Sequence, residues 1–129
     1  MDDKKRVLVV EDEPMLKKMY EKILIDDGFA VNTASNGKEG LEKAKIFQPH
    51  VILLDLLMPE MTGFEFLSRV KEDEELKFTK VIVITNVFAD THELLTKGAQ
   101  DVLLKVDYTP EQVVDKVREV LAIPEPKHI

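Results

Sequence analysis

The chain has 129 residues, of which 44% are hydrophobic and 33% charged, with five Gly and six Pro; this is the composition of one globular domain, neither disordered nor collagen-like. It contains no Cys, which excludes a disulfide scaffold, a Cys-ligated zinc site and a cysteine nucleophile. The net charge of −7 comes without a Lys/Arg cluster, which argues against direct nucleic-acid binding and against an anionic membrane surface.

Along the chain, short apolar runs alternate with helical patterns. Val7 to Val10 is a continuous apolar run, followed by a stripe of Met15, Leu16, Met19, Tyr20, Ile23 and Leu24 that Gly28 stops. Ala30 to Ala34 is a weaker strand with the pattern of a sheet edge. Gly40, Leu41, Ala44 and Phe47 mark a second helix. Val51 to Leu54 is the third strand, and Phe64, Leu67 and Val70 mark the third helix. Val81 to Ile84 is the fourth strand, and Asp90 to Lys97, stopped by Gly98, is the weakest helical segment. Val102 to Leu104 is the fifth strand, and Val113, Val114, Val117, Val120 and Leu121 mark the last helix. Pro14 and Pro110 suit the first position of a helix, and Asn36 with Glu39 and Thr109 with Gln112 have capping-box spacing. Unbroken apolar strands are covered on both faces. Five strands alternating with five helices predict an α/β, doubly wound parallel sheet.

One domain is expected over residues 1–123, with 124–129 as a short C-terminal tail. The longest apolar region, Val51 to Met58, is interrupted by Asp55 and ends at Pro59, whereas a spanning helix needs ~20 mostly apolar residues. No signal peptide or spanning helix is read, so a soluble cytoplasmic protein is the default expectation.

The polar residues that end the strands carry the functional signal. Glu11 and Asp12 follow the first strand, Asp55 the third, Thr85 the fourth and Lys105 the fifth. The carboxyl ends of parallel strands lie on one edge, where open α/β sheets bind ligands. Singly, each residue has an ordinary structural explanation: a helix cap for Asp12 or Glu13, a turn cap for Asp55, β propensity for Thr85 and a solvated strand end for Lys105. Together they form a cluster of like charges that needs raised pKa values or a bound cation. Oxygen ligands without His or Cys suit Mg²⁺ over softer metals, and three carboxylates are few for a calcium cage. A cation, a lysine and a hydroxyl around a carboxylate are the parts of a phosphoryl-transfer site with an aspartyl-phosphate.

These residues lie in segments that resemble the receiver domain of bacterial two-component response regulators. The resembling segments are Val-Leu-Val-Val-Glu-Asp-Glu-Pro at 7–14, Asp-Leu-Leu-Met-Pro-Glu-Met-Thr-Gly at 55–63, Val-Ile-Thr-Asn at 83–86, and Lys105. The resemblance runs from Arg6 to about Ala122. It implies a flavodoxin-like (βα)5 fold with strand order 2-1-3-4-5. It also implies Asp55 as phosphoacceptor, Asp12 as direct Mg²⁺ ligand, Glu11 acting largely through water, and the Leu57 carbonyl as a further ligand. Thr85 is then the hydroxyl that meets the phosphoryl group, and Lys105 the cation pairing with Asp55 and afterwards with that group. The implied partners are a sensor histidine kinase or histidine phosphotransfer protein, and a downstream protein at the face of the fourth helix, fifth strand and fifth helix. That face can also serve a phosphorylation-dependent homodimer. A receiver is not a multiple-turnover enzyme on an external substrate. A fragment of a larger regulator, and a degenerate receiver acting by binding alone, are the alternatives.

Three positions depart from the family pattern. Val102 stands where many members carry an aromatic switch residue, and Tyr108 is not its equivalent. Val106 follows Lys105 where proline is frequent, so a trans bond is expected, because cis costs a non-proline bond ~3 kcal/mol. Asn86 replaces a small residue and stands to crowd the site or add a donor. Leu57 and Val87, two residues after Asp55 and Thr85, are apolar and cannot orient an attacking water, which predicts a long-lived phosphoryl group. A phosphatase of the haloacid-dehalogenase type would need a second Asp at position 57. A flavin carrier would not place Glu11-Asp12-Glu13 at a phosphate loop. Thr91 to Thr96 only superficially resembles a kinase phosphoacceptor box, and His92 is a surface residue. His50 and His128 suggest no metal or catalytic pair. Gly37 and Gly40 are turn and packing glycines, Met15 and Met19 are core, and Lys71 to Glu75 is a solvated helix end.

Overall fold

The computed structural model describes residues 4–86 and 91–123. Five strands, β1 (Arg6–Val10), β2 (Ala30–Ala34), β3 (Val51–Asp55), β4 (Lys80–Thr85) and β5 (Asp101–Leu104), alternate with five helices. The helices are α1 (Pro14–Asp26), α2 (Gly37–Phe47), α3 (Gly63–Glu72), α4 (Thr91–Thr96) and α5 (Pro110–Leu121), and a 3₁₀ turn covers Lys105–Asp107. The strands form one parallel sheet of order β2-β1-β3-β4-β5, with β2 at the edge. The order reverses between β1 and β3, which opens a crevice at their carboxyl ends. Among the described residues no helix is long and apolar enough to cross a membrane.

Strand alternation divides the core. Leu8, Val10, Ile52, Leu54, Val81 and Val83 pack with residues of α2, α3 and α4. Val7, Val9, Val51, Leu53, Ile82 and Ile84 pack with residues of α1 and α5. Side chains two apart share a face. Glu11, Asp55 and Lys105 follow Val9, Leu53 and Leu103 by two residues, on the α1/α5 parity. Thr85 follows Val83 on the other.

The helix ends follow local chemistry. Glu13 caps α1, its carboxylate accepting from the N–H groups of Met15 and Leu16, and Pro14 takes the first helical position. Thr109 and Gln112 make the reciprocal capping box of α5. Asn36 caps α2 by accepting from the Glu39 N–H, but the Glu39 carboxylate turns back to the N–H of Ser35 and the box is not closed.

Several core assignments change. Met15 is 80% exposed, because side chains lean toward the helix N-terminus and a residue in the first turn overshoots the sheet. In α3, Phe66 is fully buried with Leu67 and Val70, while Phe64 is half-buried; Gly63, Phe66, Leu67 and Val70 form the inward face at 3- and 4-residue steps. Gly37 is the first residue of α2, packed against Met61, rather than a turn. The segment expected from Asp90 to Lys97 forms a helix over Thr91–Thr96, and Asp90 lies outside the described residues. Lys71 is not solvated: its half-buried ammonium donates to the carbonyls of Lys77 and Thr79, and burial lowers its pKa.

Candidate functional site

The five strand-end residues occupy the crevice edge. Asp55 is the last residue of β3 and pairs in register with Ile84; Thr85, the last residue of β4, pairs with Leu104. Lys105 opens the 3₁₀ turn after β5. The Glu11 N–H donates to the Ala34 carbonyl (3.0 Å), which extends the β1 backbone one residue beyond the strand.

Carboxylate oxygens of Glu11, Asp12 and Asp55 lie within 4.8 Å of one another. Glu11, Asp55 and Thr85 are buried, and Asp12 is exposed. Lys105 Nζ donates to Glu11 Oε1 at 2.9 Å and stands 3.7 Å from Asp55 Oδ1. The other Glu11 oxygen, Oε2, accepts from the Glu13 N–H at 3.2 Å. Asp55 Oδ1 accepts from the Leu57 N–H at 3.3 Å. Leu57 itself is 58% exposed.

Burial pushes the Asp55 carboxyl from its ordinary 3.8 up to about 7. The charge of Glu11 adds to the rise, Lys105 opposes it, a hydrogen bond with Glu11 adds further, and the Leu57 N–H pulls it down. One lysine therefore does not neutralise the site. Three hard oxygen donors from two strand ends, with an accessible Asp12, fit a small divalent cation such as Mg²⁺ that keeps part of its water shell.

Sequence reasoning missed two contributors. Tyr20 was read only as core, but this buried phenol lies close enough to the acids to feel them. Burial raises its pKa to about 12, with Glu11 and then Asp55 adding. The Glu13 backbone N–H, which orients Glu11, leaves no mark in a sequence. Among the departures, Val102 is half-buried against the α2/α3/α4 layer, the Lys105–Val106 bond is trans as expected, and Asn86 is exposed. Val87 lies outside the described residues. His92 is exposed, and His50 Nδ1 accepts from the Arg6 N–H (3.0 Å), a tie between chain segments. His128 lies outside the described residues.

A family model described as the response regulator receiver domain matches residues 7–118. The two-component response regulator ORR3 of rice is 36% identical over 102 residues, 77% of this chain and 78% of that protein. The transcriptional regulatory protein TrcR of Mycobacterium tuberculosis is 33% identical over 116 residues, 90% of this chain and 45% of its own length. Across several curated relatives the chain spans about half their length. The solved structure of the chemotaxis response regulator CheY4 of Vibrio cholerae superposes with a TM-score of 0.84 at 34% identity, covering 91% of this chain and 98% of that one.

Proposed function

Because the chain belongs to the response regulator receiver family, we propose that it is a phosphoacceptor switch of a two-component or phosphorelay system, with Asp55 as the acceptor. The observation that carries this reading is the meeting of Glu11, Asp12 and Asp55 within 4.8 Å, with Lys105 in ion-pair range. The receiver unit is taken as residues 1–123, with 124–129 as a tail.

Asp12, Asp55 and the Leu57 carbonyl would hold Mg²⁺ directly and Glu11 through water; when bound, the ion supplies charge neutralisation between the carboxylates and phosphoryl oxygens. The chain's own residues do the rest. The ionised Asp55 oxygen attacks the phosphorus of a phosphohistidine, the N–P bond breaks, and the imidazole leaves. Asp55 then carries an acyl phosphate. Lys105 pairs with a phosphoryl oxygen, and the Thr85 hydroxyl donates to another. Thr85 ends β4 and Lys105 opens the turn after β5, so both stand at the same edge of the sheet as Asp55. The chemistry is a single transfer onto the protein itself, not turnover of an external substrate.

The phosphorylated form shifts an equilibrium between two conformations. A sensor histidine kinase or histidine phosphotransfer protein is the donor. The output is a downstream protein, or a second copy of the chain, at the α4–β5–α5 face. With Val102 in place of an aromatic, this shift proceeds without a ring flip at that position.

The test is intact mass after incubation with acetyl phosphate, with and without Mg²⁺, beside Asp55→Asn. One Mg²⁺-dependent phosphoryl group in the wild type and none in the variant is the expected result. No adduct, together with no Mg²⁺ effect on melting, would leave a degenerate receiver that signals by binding alone.

A further inference from the structure

We infer that the outer edge of β2 is a strand-pairing surface that the chain holds shut with its own side chains, and that the strand it fits is β2 of a second copy. β2 pairs with β1 alone. The Ala30 N–H donates to the Lys5 carbonyl, and the Ala34 carbonyl accepts from the Glu11 N–H. Backbone groups alternate in direction along a strand, so Ala30, Asn32 and Ala34 face β1, while Val31 and Thr33 face outward.

An edge strand is protected from pairing by a charge or a proline within it, or by cover from a neighbouring element. β2 reads Ala-Val-Asn-Thr-Ala and has neither charge nor proline. Its protection comes from side chains that meet at Thr33. Asn32 Oδ1 accepts from the Thr33 N–H at 2.9 Å. Lys43 Nζ reaches over from α2 and donates to the Thr33 carbonyl at 2.5 Å. Glu39, one turn earlier in α2, stands 3.9 Å from the same ammonium.

The pairing geometry explains why Thr33 is the residue that is held. Two β2 strands set antiparallel about Asn32 place Val31 of one opposite Thr33 of the other. Because both residues face outward, each such pair exchanges two bonds: Val31 N–H to the Thr33 carbonyl, and Thr33 N–H to the Val31 carbonyl. The twofold axis repeats the pair. Every one of these bonds uses a Thr33 group, so holding this one residue closes the whole register. Once Thr33 is freed, β-branched side chains face each other across the strands, a favourable combination. A second copy is the fitting occupant, because the register is self-complementary and the strand carries no charge to repel its own copy. This edge is distinct from the α4–β5–α5 face, since β5 lies at the opposite side of the sheet.

The test is sedimentation equilibrium of the full, unphosphorylated chain. Three forms are compared: wild type, the double variant Asn32→Val with Lys43→Met, and that variant with Val31→Pro added. The Val31 N–H faces outward, so proline there removes a pairing donor without breaking a bond to β1. The double variant is expected to self-associate about tenfold or more tightly than wild type, the order of effect of freed backbone hydrogen bonds. Val31→Pro is expected to return it to the wild-type value. A folded double variant that associates no more than wild type, or association that Val31→Pro leaves intact, overturns the inference. So does a wild type that already dimerises and is made monomeric by Val31→Pro. Amide exchange of the wild type tests the closed edge without relying on the double variant's fold. The Thr33 N–H is expected to be protected, and to lose that protection in Asn32→Val alone. A wild-type Thr33 N–H that exchanges as fast as in an unstructured chain overturns the inference.

Discussion

Gly63 sits so close to Leu56 that a Cβ on the glycine would stand 2.8 Å from the Leu56 Cα and 3.0 Å from its carbonyl oxygen. The contact is clamped by the Gly63 N–H, which donates to that carbonyl at 2.9 Å. It closes the loop between β3 and α3, which carries Asp55 at its start and Leu57 behind it. Gly63→Ala drives a methyl group into backbone, which cannot yield as a side-chain end can. A loss of about 1–3 kcal/mol is expected by urea unfolding, the usual cost of overpacking. A reduced Mg²⁺-induced melting shift should accompany it if the Leu57 carbonyl in this loop is a ligand as proposed.

Glu60, in the same loop, shows the opposite case. It is exposed and has φ of 70°, a left-handed conformation that costs a non-glycine residue about 1–2 kcal/mol. Glycine removes that cost and returns part of it as unfolded-chain entropy. Glu60→Gly is therefore expected to stabilise by about 0.5–1 kcal/mol in urea unfolding. A loss would mean that the glutamate side chain contributes more than its backbone costs.

Local pattern made the strands, most helix starts and the strand-end residues legible, because apolar period, proline position and cap spacing act within a few residues. Asp55, Glu11 and Lys105 could be placed on one edge from chain order alone, since parallel strands share a direction. What could not be read depends on distances between separate elements. Nothing near Tyr20 in sequence shows that its helix carries it toward Glu11 and Asp55. Lys71 and Lys80 look like ordinary surface lysines until backbone carbonyls of other segments close around them. Met15 obeys the helical period and is exposed all the same, because periodicity gives a face but not where the sheet beneath it ends.

Lys80 supplies a stability test of this kind. It opens β4, is only 8% exposed, and donates to the Val120 carbonyl at 3.1 Å and to the Ile123 carbonyl. The last carbonyls of a helix lack partners within it. Lys80→Met keeps the apolar stem and removes the donor, at an expected cost of about 1–3 kcal/mol for hydrogen bonds from a charged group. Hydrogen exchange should quicken at Ala122 and Ile123, at the end of α5, more than in β1 or β3. Uniform quickening would instead mark a general loss of stability.

The metal-free protein should lose stability as pH rises through the range set by Asp55. Its carboxyl is raised from 3.8 to about 7 on folding. Between these values the folded chain holds a proton that the unfolded chain has released, so the folded state is favoured at the acid end and the advantage is gone above about 7. Asp55→Asn is expected to be more stable than wild type in EDTA at pH 8, on the order of 2 kcal/mol, with the difference shrinking toward pH 4. Mg²⁺ should reverse the ranking at pH 8, since it stabilises only the chain that keeps the carboxylate. A variant–wild-type difference independent of pH would assign the effect to packing.

The lifetime of the phosphoryl group should depend on Leu57. This residue lies two positions after the proposed acceptor, is 58% exposed, and ties its own N–H to Asp55 Oδ1 at 3.3 Å. An aliphatic side chain there offers water no hydrogen bond, so a water attacking the acyl phosphate must be ordered by chance. An amide at the same place can hold that water near the phosphorus. Leu57→Asn is expected to shorten the half-life of the phosphorylated protein several-fold, measured by intact mass after the donor is removed with Mg²⁺ in excess. Leu57→Val, which changes shape without adding a polar group, should leave it near the wild-type value. If both variants shorten it equally, loop packing rather than water orientation sets the rate; if neither does, position 57 plays no part in hydrolysis.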